Sequence, residues 1–330
     1  MMRSLYSGIS GLRNHQTRMD VIGNNIANVN TTGYKTSRVI FQDIFSQTAA
    51  GGTAGTPDLG VGGTNPMQIG LGIKLSSVDI LHTPAPFQRT DNPLDMMIGG
   101  EGFFIVQGPE GPFYTRAGNF KIDDQGYLVT TDGFYVMGTA YELYYDPGQA
   151  AVGTDPTDAD YVPAVPAGIF VDKDVQINDE PPLGLSRICV RVENLDYDGV
   201  DDPDDADYMG PEFFELVGFS VGKDGSVEVI IDNRKATIAQ LAVAMFSNPG
   251  GLEKAGNSLY RETSSSGGVQ VGIAYQNGAG TVEAGGLEMS NVDLATEFTD
   301  MIVTQRGFQA NSRIITVSDT MLEELVNLKR

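Results

Sequence analysis

The chain has 330 residues and a formal net charge of -22, long enough for two or three domains around a sizeable core. That acidity excludes a nucleic-acid binder, which needs clustered Lys and Arg against phosphate, and disfavours an anionic membrane surface. No apolar run approaches the length of a membrane span and the N-terminus lacks a secretory h-region, so neither membrane insertion nor a cleaved signal peptide is expected.

The first predicted element is a helix from about Arg3 to Val29. Its apolar residues Met2, Leu5, Ile9, Leu12, Met19, Ile22, Ile26 and Val29 alternate at spacings of three and four. Within them Leu5, Leu12, Met19 and Ile26 repeat every seven positions, which keeps one seam toward a partner helix; His15 and Gln16 interrupt it. Such a rod is about 40 Å long at 1.5 Å per residue. Gly8, Gly11 and Gly23 each cost roughly 1 kcal/mol of helix propensity, so the helix depends on partners. Asn24, Asn25, Asn28 and Asn30 read as caps and turn formers, and Gly33 suits a left-handed turn that ends the helix.

From Lys35 a short amphipathic piece, RVIFQDIFSQ, leads into AAGGTAGTPDLGVGGTNP, which has no periodicity and reads as an extended Gly-rich linker over residues 35–75. Its glycines Gly51, Gly52, Gly55, Gly60, Gly62 and Gly63 give it many backbone states. Beyond it the period becomes two. QIGLGIKLSSVDILHT, DMMIGGEGFFIVQG and PFYTRAGNFKIDDQGYLVTTDGFYVMG predict short antiparallel strands with turns at DDQG and TTDG. Residues 146–211 concentrate acid, reading as an inserted outer β domain. In its loop DYDGVDDPDDAD, the aspartates Asp196, Asp198, Asp201, Asp202, Asp204 and Asp205 are either a solvated face or oxygen ligands for calcium, although Gly199 is misplaced for an EF-hand. Strands resume from ELVGFSVGKDGSVEV onward.

A second long helix is predicted to begin at Ser290, with Ser290 and Asp293 as a variant capping box and Glu297 in the first turn favoured by the helix dipole. Its seven-spaced row is Leu294, Met301, Phe308, Ile315 and Leu322. The fold class is therefore mainly β with α-helical termini, a β-rich body carried on an antiparallel coiled-coil-like stalk. The expected domains are 1–34 with 286–330 (helical core), 35–75 (linker), 76–145 with 212–285 (β body) and 146–211 (insert).

Catalytic chemistry is hard to assemble from these residues. Cys189 is the single cysteine, read as a strand residue in RICVRV, and the two histidines, His15 and His82, lack metal-type spacing. No cofactor, metal or enzyme activity is expected.

NNIANVNTTGYK, GGTNPMQIGLGI, TDNPLDMMIGGEGFFIV, YTRAGNFKIDDQGYLVTTDG and SNVDLATEFTDMIVTQRGFQANSRIITVSDTMLEELVNL, in this order, resemble the rod and hook proteins of the bacterial flagellar axis across residues 1–145 and 212–330. The carriers of the motif include Asn24, Asn25, Asn28, Gly33, Ser290, Asn291 and Asp293. NLKR at the end, FSNPGGLEKAGNSLY and the inserted domain look most like a hook-type subunit, with the distal-rod type as the alternative. The resemblance implies that the terminal helices of many copies pack into a helical tube, with the linker giving a hook subunit its extension. It also implies export by the flagellar type III apparatus, an extracellular site in the hook or basal body, and as partners copies of itself, the distal rod protein, a hook cap and a hook-filament junction protein.

Overall fold

The computed structural model describes residues 2–54, 63–146, 168–176, 185–190, 193–194, 212–213, 218–231, 234–276 and 278–328. Among these the chain is mainly β with one long helix near each end. It divides into two compact units: Met1–Thr31, Lys35–Thr83 and Ser290–Arg330 form the first, Thr32–Tyr34 and Pro84–Met289 the second.

The first unit begins with α1 (Met2–Ala27). It stops short of the expected Val29 because the bonds tighten there: Asn28 N–H is shared between Asn24 O and Asn25 O at 3.2 Å, Val29 N–H turns to Ile26 O at 3.4 Å, and Asn28 Nδ2 competes for Asn24 O at 2.9 Å. Local side-chain bonds of this kind compete with helix continuation. Four strands follow, β1 (Ser37–Asp43), β2 (Ser46–Ala50), β3 (Met67–Gly70) and β4 (Ile73–Ile80). β1 pairs antiparallel with β4 and β2 with β3, and a bridge joins Thr53 to Thr64. The expected linker over 35–75 is therefore corrected: on both sides of residues 55–62, which lie outside the described set together with Gly55, Gly60 and Gly62, it is a ladder. Cross-strand pairing of β-branched and apolar residues outweighs the glycines there, because ladder bonds satisfy both backbones at once.

The last element of this unit is α2 (Leu294–Asn327). The start differs from the expected Ser290. Asp293 is the N-cap, accepting from Ala295 N–H at 3.0 Å and from the Thr296 hydroxyl at 2.7 Å, while the Ser290 hydroxyl meets Val292 N–H at 3.4 Å. A carboxylate with two donors in reach caps better than a hydroxyl three residues upstream. The Thr296 hydroxyl first and then the Ala295 amide hold the Asp293 carboxyl below its ordinary pKa.

The second unit is built from short strands: β5 (Phe87–Arg89), β6 (Met96–Gly99), β7 (Phe103–Gly108), β8 (Gly111–Thr115), β9 (Lys121–Ile122), β10 (Leu128–Val129) and β11 (Tyr135–Asp146). After β12 (Gly168–Gln176), β13 (Ser186–Arg187), β14 (Glu193–Asn194) and β15 (Glu212–Phe213) come β16 (Gly218–Val221), β17 (Ser226–Ile231) and β18 (Arg234–Met245). β19 (Glu253–Gly256), β20 (Leu259–Arg261), β21 (Gln270–Ile273), β22 (Thr281–Ala284) and β23 (Gly286–Glu288) complete it. Its main sheet runs β16-β17-β18-β11-β7-β8-β20-β19, while β22 pairs β6 and β23 pairs β5. Alternate residues of β7, β11, β17 and β18 turn Phe104, Val106, Val136, Val227, Val229, Leu241 and Val243 into one buried cluster with Phe120, Leu128 and Ile188. Each such side chain contributes about 1.5–3 kcal/mol by leaving water. Cys189 lies half-buried between the buried Ile188 and Val190, bridged to Tyr127. The aspartate loop of the acidic segment lies outside the described residues.

Candidate assembly surface

α1 and α2 run antiparallel against one another, and small residues set how closely. A methyl group added at Gly8 would lie 3.4 Å from Ile315 Cγ1; at Gly11 it would lie 2.5 Å from Asn311 Nδ2, and at Gly307 2.8 Å from His15 Nε2. The order of these pairs fixes the direction. Further along, Arg18 Nη2 meets Asp300 Oδ2 at 2.9 Å and Asn25 Nδ2 reaches Glu297 Oε1 at 3.0 Å. Thr304 and Ser318 are buried on α2, their hydroxyls returned to Asp300 O and Ile314 O, so their methyl or methylene edges form packing surface.

The expected seam residues Leu5, Leu12, Met19, Ile26, Met301, Phe308, Ile315 and Leu322 are all half-buried, and Leu294 is exposed. The residue of α1 that is most enclosed among the apolar ones is Ile22, beside the seam. What lies opposite the large residues was not legible: Gly8 and Gly11, which count against helix propensity, are with Gly307 the close-approach sites of the pair, while Gly23 faces open space.

Asn25 was also underrated. It is 1% exposed, not a turn former, and it exchanges two bonds with the Ser37 backbone, donating to its carbonyl at 2.9 Å and accepting its N–H at 3.1 Å. Asn28 does form the turn, also accepting from the Thr31 hydroxyl at 3.1 Å. Asn24 supplies the carbonyl that Asn28 uses. Asn291 plays a part like that of Asn25, accepting Thr36 N–H at 2.7 Å and donating to Leu81 O at 2.8 Å. Gly33 has φ +67, the expected left-handed value, but in a second turn past the one at Asn28 and not at the helix end. The signal for Asn25 and Asn291 was an amide with an apolar neighbour on one side, Ile26 or Val292, where an enclosed amide must find partners for both ends.

These groups surround a cavity of about 250 Å³ lined by Arg18, Ile22, Thr36, Asn291, Glu297 and Asp300 among others. Glu297 accepts from both Asn25 and Thr36, yet burial raises its pKa above the ordinary value against the pull of those two bonds. The dipole favour expected from its first-turn position does not prevail. His15 is shifted the other way: burial, then the nearby Arg18 charge, lower its pKa, and its Nδ1 is buried without a bonding partner. Its ring meets Phe41 edge-on at 6.1 Å.

A second apolar surface faces outward. On α2 the exposed residues Phe298, Ile302, Val303, Ile314, Val317, Met321 and Leu325 include Ile302 at 59% and Val317 at 51%. On the hairpin, Phe45 is 76% exposed and Met67 65%. Large apolar groups grouped in this way mark surfaces that other chains cover. Among the described residues no group of His, Cys, Asp and Glu could hold a metal ion, and no helix is long and apolar enough to cross a membrane.

Three family models match the chain: a flagella basal body rod protein model over residues 5–35, a flagellar hook protein FlgE/F/G D1 domain over 97–229, and the flagellar basal body rod FlgEFG protein C-terminal model over 283–328. The flagellar basal-body rod protein FlgG of Bacillus subtilis is 41% identical over 334 residues, covering 100% of both chains. The flagellar hook protein FlgE of Borreliella burgdorferi is 34% identical over 446 residues, and that of Treponema pallidum 32% over 465, again with 100% of both chains covered.

Proposed function

This chain belongs to the family of bacterial flagellar hook and basal-body rod proteins, a structural and not an enzymatic family, and from that premise we propose that it polymerises into a distal-rod-type section of the flagellar axis. α1 and α2 act as a coiled-coil-type antiparallel stalk in each subunit. Leu5, Leu12, Met19, Ile26, Leu294, Met301, Phe308, Ile315 and Leu322 serve packing within and between stalks. The exposed row on α2 then meets neighbouring copies, and identical subunits joined by a rotation that does not close give a helical tube.

The choice of rod over hook rests on the hairpin of β1 to β4. A bending joint calls for loose chain between helix and body, and here both arms of that segment are tied in ladders. Alignment length agrees: the rod relative matches over 334 residues, a length near that of this chain, whereas the hook relative needs 446. The hook type is the second reading, favoured by the acidic segment 146–211. Export through the flagellar type III apparatus and contact with the other axial proteins go with either reading.

Electron microscopy separates the readings. A deletion strain whose basal bodies lack the outer part of the rod supports the rod type; complete rods without hooks support the hook type. Purified chain that forms no tube or filament at any concentration would overturn polymerisation altogether.

A further inference from the structure

Arg116 and Glu288 form a buried ion pair, with side chains 2% and 0% exposed and Nη1 to Oε2 at 3.5 Å. The guanidinium lies 5.2 Å from the Phe103 ring centre and donates to two carbonyls, Ile98 O at 3.2 Å and Gly100 O at 2.7 Å. Burial lowers the Arg116 pKa while Glu288 counters it. Such a pair is poor value as bulk stabilisation, since desolvation consumes most of the attraction. What distinguishes it is what else Glu288 holds.

The Glu288 carboxylate accepts Ala85 N–H at 3.1 Å through Oε1, and its backbone carbonyl accepts Gly33 N–H at 2.9 Å. One residue on, Met289 N–H donates to Pro86 O at 3.1 Å. Gly33 is held tightly there: a methyl group on it would lie 2.7 Å from Ala117 N and 2.8 Å from Arg116 C, and its φ of +67 excludes most other residues. The four places where the chain passes from one compact unit to the other fall after Thr31, after Tyr34, after Thr83 and after Met289. Gly33, Ala85 and Met289 lie within two residues of these places; the first two are bonded to Glu288 and the third is its immediate neighbour.

We propose that Arg116 and Glu288 form a clasp that fastens the three segments around Gly33, Ala85 and Met289, where the chain enters and leaves the second unit, into one cooperative piece. The two charges make the clasp selective. Glu288 holds Ala85 through its carboxylate and Gly33 through its carbonyl while Arg116 fixes the carboxylate, so the three segments hold together or release together. This device stands whether the polymer is rod or hook.

The test is native-state hydrogen exchange on the full-length monomer, which reads the opening of single amides. In the unaltered protein the Gly33, Ala85 and Met289 amides are expected to show one common opening constant, agreeing within about threefold. In Glu288→Gln all three should lose protection together by about a hundredfold or more, the scale expected when one partner of a buried pair is neutralised. Ile105 in β7 should fall by less than tenfold. Opening constants that differ by more than about thirtyfold among the three amides in the unaltered protein would overturn the clasp, and that measurement stands even if the variant does not fold. Loss in Glu288→Gln that is equal at Ile105 and at the three amides would do the same.

Discussion

Asn25 and Ser37 bond to each other as two strand residues would, the Asn25 side-chain amide standing in for a backbone: Nδ2 to Ser37 O at 2.9 Å and Ser37 N to Oδ1 at 3.1 Å. Asn25 lies in the last turn of α1, where a helix has no free backbone N–H to offer a strand. The side-chain amide supplies one, fixing where β1 starts relative to α1.

Asn25→Ala should therefore destabilise the first unit by about 1–3 kcal/mol, because Ser37 N–H and one Glu297 oxygen lose buried partners. Asn28→Ala, at an exposed turn, should cost less than half as much. Chemical denaturation of the two variants, followed by helix signal, gives the comparison; equal losses would remove the special place of Asn25.

The glycines of α1 should respond in opposite directions. At Gly23 nothing lies within 4 Å of an added methyl, so Gly23→Ala should stabilise by about 1 kcal/mol through propensity alone. Gly11→Leu should cost about 1–3 kcal/mol as it drives into Asn311. Adding Asn311→Ala to Gly11→Leu should recover most of that loss, which a double-mutant cycle would measure.

The pH response has a sign that can be worked out at two residues. The folded pKa of His15 lies below its ordinary value of 6.5, so the neutral ring is favoured in the fold and its stabilisation is complete above 6.5 and lost as pH falls below it. Glu297 has a folded pKa raised above 4.5, so its contribution is complete below 4.5 and is lost as pH rises through the folded value. Glu297→Gln should raise the melting temperature at pH 7 and leave it nearly unchanged at pH 4. His15→Gln should flatten the decline between pH 6.5 and more acidic solution. Melting curves across that range check both.

Ile302→Asp and Val317→Asp, on the outward face of α2, should leave the monomer's melting temperature within a few degrees. Each should raise the concentration needed for polymerisation by about tenfold or more, since burying such a side chain is worth about 1.5–3 kcal/mol. Sedimentation at graded concentrations provides the reading. Polymerisation at the unaltered threshold would remove that face from the interface.

Much of this architecture was legible because periodicity is a geometric signal. The seven-spaced rows located both long helices, and period two located the strands of the second unit. Where the reading went astray, a local preference competed with a distant contact. Glycines at 51 and 52 suggested loose chain, yet Thr53 and Thr64 face one another across the hairpin. Ser290 looked like a cap until Asp293 proved nearer the first free amides. Asn25 resembled its turn-forming neighbours in composition and differed only in what the fold brought to it. The apolar residues at 298, 302, 314, 317 and 321 sit beside the repeat and not on it, so a search for one seam passed over the other face.

The ladder of β1 and β4 skips a residue: Ile40 stands opposite Ser77 but Phe41 opposite Leu75, leaving Ser76 without a counterpart. Because alternate side chains point to opposite faces, that surplus residue resets the parity of β4, and deleting it would turn every side chain below it over. Insertions between Thr53 and Thr64 carry no such penalty, since lengthening a tip costs only about 0.6 kcal/mol per doubling. Changes in chain length are thereby tolerated between Thr53 and Thr64, while the root of the ladder admits only changes that keep odd and even in step.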